Sequence, residues 1–347
     1  MTMRTQKALL LLEKQGPLAV VDGHPIPNPG PGEILVKVQA AALNPVDWKI
    51  AKTGDFVQNY PAVLGWDLSG DVEDIGEGVV GLEKGDRVMA SAFIPKGYAA
   101  FQQYTLVAAN LVTKLPSDLD YADAATIPLG YSTAAVGLLA AFPGGAGLNP
   151  TLDPAIKFSG QPAFVLGGSS SVGQFAIQIL RTLAFSPIIT YASARHANYL
   201  KSLGATHVID RGTIIIEDIP AAVQNLLPPG TQLQVVYDAI SEPDTQEVCW
   251  ALVSEDGIVV AIQRGVADRD VGGKRLIHIA GSPYAPINKD FGPRLWRMLT
   301  GQVEEGTIVP NRVEKLPGGL AGIVDGLKRM ENNAVSGVKL VVFPQET

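Results

Sequence analysis

Apolar and polar positions change their rhythm twice along the chain. Near the start, Ala8–Leu12 is a continuous apolar run closed by Glu13-Lys14. Its length predicts a buried first strand and is too short for the core of a signal peptide. From there to about residue 125, short β-type runs recur at Glu33–Ala41, Gly65–Val72, Arg87–Ser91 and Tyr104–Val107. Glycine turns separate them, and Pro25, Pro27, Pro29 and Pro31 punctuate a loop before the second run. This predicts a β-rich domain. A helix is expected from near Tyr121 past Thr133, followed by a Gly- and Pro-rich loop, Phe142–Pro154. The rhythm then becomes strand–helix–strand. Strands are expected at Ala163–Leu166, Ile188–Ala192, His207–Ile209, Leu233–Tyr237, Ile258–Ile262 and Leu276–Ala280, with helix-like intervals between most of them. Six such strands predict an α/β, doubly wound parallel sheet. The last of them, Leu276–Ala280, is expected at the sheet edge. After Leu299 the pattern is β-like again and ends in a strong strand, Val338–Phe343.

The segment Phe164–Ala176 joins the first of these strands to an amphipathic helix through Gly167-Gly168-Ser169-Ser170-Ser171-Val172-Gly173. A small-residue turn of this kind lets backbone N–H groups approach a pyrophosphate at the positive end of a helix. Ser170 stands where the middle glycine of GxGxxG would be, and the alternative is a tight turn with no ligand. From Val172 onward, Phe175, Ala176, Ile179, Leu180 and Leu183 keep one helical face. A dinucleotide site usually adds an acid about 20 residues on, at the end of the second strand, to hold the ribose 2′-hydroxyl. None is present. The chain offers Ser193, Arg195, His196 and Tyr199 instead. A hydroxyl and a guanidinium without a carboxylate suit a 2′-phosphate, hence NADPH rather than NADH; the alternative is a solvated loop. Ile262, closing the fifth strand, joins the cofactor-binding candidates.

Composition narrows the classes. With 347 residues, one large or two ordinary domains are expected. A net charge of −7 argues against nucleic acid as the main partner, and no apolar run reaches membrane-spanning length. The single cysteine, Cys249, excludes an internal disulfide and fits a reducing, cytoplasmic setting. The four histidines, His24, His196, His207 and His278, show no metal-ligand spacing.

Several motifs, in this order, carry a resemblance over essentially the whole length. They are Asn44-Pro45-Val46-Asp47-Trp48-Lys49, Leu64-Gly65-Trp66-Asp67-Leu68-Ser69-Gly70, Lys84-Gly85-Asp86-Arg87-Val88, the Gly167–Gln178 turn and helix, Leu203-Gly204-Ala205 and Ser336-Gly337-Val338-Lys339-Leu340. The chain resembles the medium-chain dehydrogenase/reductase superfamily. The resemblance implies a GroES-like catalytic domain from residues 1–125 and 312–347 and an inserted Rossmann domain, residues 126–311, with the cofactor in the cleft between them. Zinc alcohol dehydrogenases of this superfamily place a cysteine where this chain has Asn44 and a His–Glu pair where it has Trp66-Asp67. Asn44 and Trp66 are not thiolate or imidazole donors, so no zinc is expected.

Without a Lewis acid, oxidising a simple alcohol is difficult, whereas reducing a conjugated alkene asks less. The zinc-independent branch is similar in this respect, and the texture of the motifs is similar to fungal trans-acting enoyl reductases that serve polyketide synthases. The resemblance implies NADPH-dependent reduction of the C=C bond of an enone or enoyl thioester, free or carrier-bound. An NADPH:quinone oxidoreductase and a non-catalytic NADPH-binding protein are the alternatives. By the same resemblance, Asn44, Pro45 and Lys49 line the active-site cleft, with Lys49 a candidate enolate stabiliser. Thr133 holds the nicotinamide side. Gly168, Ser169, Ser170, Ser171 and Val172 cradle the pyrophosphate, and Lys339 reaches the cofactor. Enoyl-thioester reductases of the mitochondrial type carry a catalytic tyrosine where this chain has Phe56; Tyr60, four residues on, is the substitute candidate, with no dedicated tyrosine acid as the alternative. Monomer and homodimer stay open.

Overall fold

Along Thr5–Leu11 (β1) burial alternates at first, with Thr5 exposed, Lys7 half-buried and Gln6 and Ala8 buried, and then covers both faces at Leu9–Leu11; this strand sets the first sheet. β1 pairs antiparallel with β2 (Leu18–Pro25) and, on its other edge, with a two-residue strand that follows later in the chain. The computed structural model describes residues 4–92, 98–263 and 267–347. They form two units: one of the N-terminal stretch through Leu129, Trp296–Glu304 and Val309–Thr347, the other of Gly130–Leu295 and Glu305–Ile308.

In the first unit, β3 (Glu33–Ala42) is the longest strand and the centre of the larger sheet. It leads directly into α1 (Pro45–Thr53), whose start is fixed by Asp47 Oδ2 accepting the Asn44 backbone N–H and whose end is fixed by Gly54 at φ +78°. Then follow β4 (Ala62–Val63), β5 (Asp67–Ile75), β6 (Arg87–Ser91), β7 (Tyr104–Ala108), β8 (Val112–Lys114) and α2 (Tyr121–Ala125). β3 pairs antiparallel with both β5 and β7, and its register against β5 slips twice, between Leu35 and Val36 and between Val38 and Ala40. Such bulges bend the strand, and they sit on the approach to Asn44. Leu9, Leu11, Ile34, Val36, Leu64, Trp66 and Phe101 close the core beneath.

The sequence pattern predicts one helix from Tyr121 past Thr133. The structure has two: α2 ends at Ala125 and α3 runs Pro128–Leu139. Pro128 is the cause, because the residue before a proline is pushed out of helical geometry while proline itself suits a helix start.

The second unit alternates β9 (Ala163–Leu166), α4 (Ser171–Thr182), β10 (Ile188–Ala192), α5 (Ala197–Leu203), β11 (His207–Asp210), α6 (Ile219–Gln224), β12 (Leu233–Asp238), α7 (Pro243–Leu252), β13 (Val253–Ala261), β14 (Arg269–Val271) and β15 (Lys274–His278). The order across the sheet is β11-β10-β9-β12-β13-β15-β14. The first six are parallel, in the doubly wound order whose switch point lies beside β9. The expected six strands are therefore present, with one correction. A seventh, β14, pairs antiparallel outside β15, so Leu276–Ala280 is not the edge. Gly272 and Gly273, both at positive φ, make the two-residue turn that folds β14 back. A second correction lies after Leu299: α8 (Phe291–Glu304) continues helical, and β16 (Val313–Lys315) starts only later. α9 (Gly319–Glu331) and β17 (Lys339–Val342) complete the first unit, β17 lying against β3. Among the described residues no helix is long and apolar enough to cross a membrane.

Candidate active site

β9 ends in a turn that has no room for a side chain at its glycines. Gly167 holds φ +79°, a Cβ on Gly168 would overlap Thr190 Oγ1, and a Cβ on Gly173 would overlap the Gly167 carbonyl. Thr190 Oγ1 is itself fixed, donating to the Val165 carbonyl at 2.7 Å. Ser170, the departure from the glycine pattern, is the N-cap of α4: its Oγ accepts from the Gly173 N–H at 3.0 Å. The small-residue turn and the helix's positive end therefore form a cradle that fits a pyrophosphate.

Beyond β10, Ser193 is half-buried, Arg195 is exposed and His196 is buried. Arg195 Nε donates to His196 Nε2 at 3.1 Å, and Tyr199 OH donates to Gln174 Oε1 at 2.9 Å, which ties this loop to the first turns of α4. Sequence reading missed Asp210, which the topology brings alongside: it ends β11, next to β10, and its carboxylate accepts the Ala194 N–H at 2.9 Å and the Gly212 N–H at 3.1 Å. The Gly212 and Ala194 N–H groups hold its carboxyl below the usual carboxylate range.

Thr133 is buried in α3. Its carbonyl accepts from Tyr237 OH at 3.0 Å, and Gly281 packs so closely that a Cβ there would stand 2.6 Å from Thr133 Oγ1. Ile262 N–H donates to Ser241 Oγ at 2.8 Å. That turn is organised by Asp238, buried at the end of β12, which accepts the Ile240 and Ser241 N–H groups at 3.0 and 2.8 Å. Burial raises the Asp238 carboxyl above its usual range.

In the first unit the candidates Asn44 and Lys339 meet. Lys339 Nζ lies 2.6 Å from Asp67 Oδ2 and 2.8 Å from Asn44 Oδ1. Asn44 Nδ2 donates to the same Asp67 oxygen at 2.9 Å, and the Leu129 N–H donates to Asp67 Oδ1 at 2.7 Å. Asp67 is fully buried and Lys339 nearly so. Beside them Asp47 is wholly buried, and burial pushes its carboxyl up to about 8, against the Asn44 and Gly65 backbone N–H groups and the Lys339 charge, which favour the anion; the Asp67 charge pushes the same way as burial. At neutral pH Asp47 therefore carries its proton. Among the described residues, Trp66 Nε1 and Asp47 Oδ1 of this region have no hydrogen-bond partner. A buried donor without a partner costs about 1–3 kcal/mol.

The other candidates lie on α1 and in the segment that follows it. Pro45 is exposed at the start of α1. Lys49 is half-buried on α1 with its Nζ 5.7 Å from the Trp48 ring centre. Tyr60 OH is 3.5 Å from the Gly54 carbonyl. Phe56 is exposed and stands edge-on to Trp66, ring centres 6.5 Å apart at 87°. Asp67, Trp66 and Asp47 are the members that sequence reading left without a role in binding or catalysis. The signal available for them was their place within the Asn44–Lys49 motif and the Leu64–Gly70 motif that leads into β5.

Residues 30–117 match the model of the alcohol dehydrogenase GroES-like domain, and residues 171–280 that of the zinc-binding dehydrogenase domain. The residues present do not fit zinc: among the described residues no three His, Cys, Asp or Glu side chains are grouped to hold a metal ion, and Asn44 and Asp67 are closed around an ammonium group. A dehydrogenase of Emericella nidulans is 32% identical over 98% of this chain and 99% of its own. A trans-enoyl reductase of Aspergillus japonicus is 33% identical over 89% of each chain. Among solved structures, a mycobacterial protein in complex with NADPH superposes with a TM-score of 0.78 at 25% identity, over 98% of this chain and all of that one. With an oxidoreductase match of this extent laid over both of its units, the chain belongs to the medium-chain dehydrogenase/reductase superfamily.

Proposed function

We propose that this oxidoreductase reduces the activated C=C bond of an α,β-unsaturated carbonyl compound, an enone or enoyl thioester, with NADPH and without zinc. One observation carries the reading: the closed Asn44–Asp67–Lys339 cluster fills with an internal cation the positions at which the resemblance to zinc dehydrogenases calls for ligands. A site without a Lewis acid suits a reaction whose developing charge sits on an enolate oxygen, where hydrogen-bond donors suffice. The trans-enoyl reductase of Aspergillus japonicus and its counterpart from a Penicillium species, 30% identical over 98% of this chain, support it.

Bound NADPH supplies a hydride. On this reading the chain's own residues do the rest. The Gly167–Gly173 turn and the start of α4 take the pyrophosphate. Ser193, Arg195 and Tyr199 take the 2′-phosphate, while the Asp210 carboxylate beside them is held to the Ala194 and Gly212 N–H groups. Thr133, backed by Tyr237 and Gly281, sets the nicotinamide side, and Lys49 stands as a donor to the substrate. The β-carbon gains hydride, the α-carbon gains a proton from solvent, and the carbonyl is unchanged at the end.

The test is isotopic. With NADPH deuterated at C4 and a panel of enones, enoyl thioesters and quinones, the label is expected at the β-carbon of a saturated carbonyl product. Label at a carbinol carbon, or turnover of quinones alone, would overturn the reading. Cofactor choice has its own check. NADPH should bind more tightly than NADH, and Arg195→Ala should narrow the gap by roughly 1–3 kcal/mol, the scale of a charge-assisted hydrogen bond. Equal affinities of the wild type for the two cofactors, by fluorescence titration, would remove the 2′-phosphate assignment.

A further inference from the structure

The turn after β12 carries a strained residue that is held from several sides. Ser241 sits at φ +63°, a left-handed conformation that favours glycine, and is buried. Its N–H donates to Asp238 Oδ1, its Oγ donates to the Asp238 carbonyl and accepts the Ile262 N–H, and its carbonyl accepts from Gln246 Nε2 at 3.0 Å. A residue in such a conformation persists only where its surroundings over-determine it, and residues of this kind cluster at ligand sites. The Ala239 N–H donates to the Leu166 carbonyl, and a Cβ on Gly167 would stand 2.6 Å from Ile240 Cγ1. The Ser241 turn therefore packs directly on the glycine turn. Both lie at the carboxyl ends of β9 and β12, where the strand order reverses and where sheets of this kind bind their ligands.

Behind this turn a chain of side chains runs to the surface. Gln246, on α7, is fully buried, and its Nε2 donates to two carbonyls, those of Ser241 and Gln263. Carbonyls only accept, so the amide is fixed with Oε1 toward His278 Nε2, 3.0 Å away, and that ring nitrogen is the donor. The other ring nitrogen, Nδ1, faces Asp268 Oδ1, which also accepts the His278 backbone N–H at 3.1 Å. The His278 side chain is 6% exposed and that of Asp268 is 69% exposed. A carboxylate at the surface is thus joined, through an imidazole and an amide, to the turns that end β12 and β13.

We infer that Asp268, His278 and Gln246 are positioning residues for the bound nicotinamide dinucleotide, holding the Ser241 turn, and with it Ile240, against the pyrophosphate cradle. This rests on the cofactor reading above and assigns residues that act through the turn. Asp268 orients the imidazole, the imidazole orients the amide, and the amide supplies the two donors that tie the turns together. A binding surface set before the ligand arrives spares the cost of ordering it on binding. Cutting the chain at its exposed end should therefore weaken cofactor binding, although Asp268 is four linked groups away from the glycine turn.

The experiment compares wild type with Asp268→Ala, a change at a largely exposed side chain. By titration of NADPH fluorescence, Kd should rise about tenfold, the scale of one lost hydrogen bond. At saturating NADPH, kcat should change by less than about twofold, because no group at the reacting atoms is altered. Asp268→Asn should bring Kd back to within about twofold of wild type, since an amide still offers Nδ1 a partner and the His278 N–H an acceptor. Gln246→Glu keeps the oxygen that meets His278 and removes both donors to the turns, so it should weaken binding at least as much as Asp268→Ala. The two changes together should bind no more weakly than Gln246→Glu alone, because both cut one chain. A Kd for Asp268→Ala within about twofold of wild type, or losses that multiply in the double variant, would overturn the inference. If Gln246→Glu does not fold, the two Asp268 variants decide, and an equal loss in both would overturn the inference. Failure of the wild type to bind NADPH is a separate outcome and removes the underlying cofactor reading instead.

Discussion

Lys339→Ala should destabilise the first unit by about 3–5 kcal/mol, measured as a shift in the urea unfolding midpoint. The figure is the range for breaking one side of a buried ion pair. The substitution strips the buried Asp67 Oδ2 of its cation and leaves Asn44 Oδ1 without a donor. Most of the loss comes from the charge left behind, not from the attraction removed. Lys339→Met combined with Asp67→Asn should therefore recover much of it: the Asn side chain still offers its oxygen to the Leu129 N–H, its amide nitrogen can donate to Asn44 Oδ1 once the Asn44 amide turns over, and no net charge is buried. A loss below about 1 kcal/mol in Lys339→Ala would mean that water enters to replace the ammonium.

The second large effect is a pH dependence centred on Asp47. Its carboxyl sits at about 8 in the folded protein against an ordinary value of 3.8, chiefly because it is wholly buried. Between those values the folded state binds a proton that the unfolded state has released. Stability from this group is thus complete below about pH 4, declines as pH rises toward 8, and levels off above it. The total is on the order of 5 kcal/mol. Other groups titrate in the same window, so the measurement is a difference. Asp47→Asn, compared with wild type in urea titrations from pH 4 to 9, should show the flatter profile. Asp67 and Lys339 face Asp47 and are common to both proteins. Parallel profiles would show that Asp47 ionises normally.

The sheet of the second unit was legible because its information is local. Ala163–Leu166, Ile188–Ala192 and Leu233–Tyr237 are apolar runs of strand length bounded by turn residues, and the glycines at 167, 168 and 173 announce a turn in which Cβ atoms do not fit. β14 was not legible, since Arg269–Val271 is three residues long and without apolar alternation; only Gly272-Gly273 hints at the hairpin. The site divides the same way. The motifs around Asn44 and Lys339 mark those residues, but nothing in either motif says that the two side chains meet, because they lie 295 residues apart and β17 reaches α1's start only through its pairing with β3. Asp210 was missed for a related reason. Counting along the chain from the glycines looks for an acid at the end of β10, whereas this one arrives from the neighbouring strand. Distances set by sheet order cannot be counted along a sequence.

That separation also fixes an order of events on the ribosome. Lys339 follows Asp67 by 272 residues. At ordinary translation rates of about 5–20 residues per second, roughly 14–54 s pass between the emergence of the acid and that of its cation. Throughout that interval the Asp67 carboxylate lacks its cation, while every strand of the intervening parallel sheet is synthesised together with its neighbours. The buried ion pair of the first unit can therefore close only after the whole of Gly130–Leu295 and Glu305–Ile308 has been made.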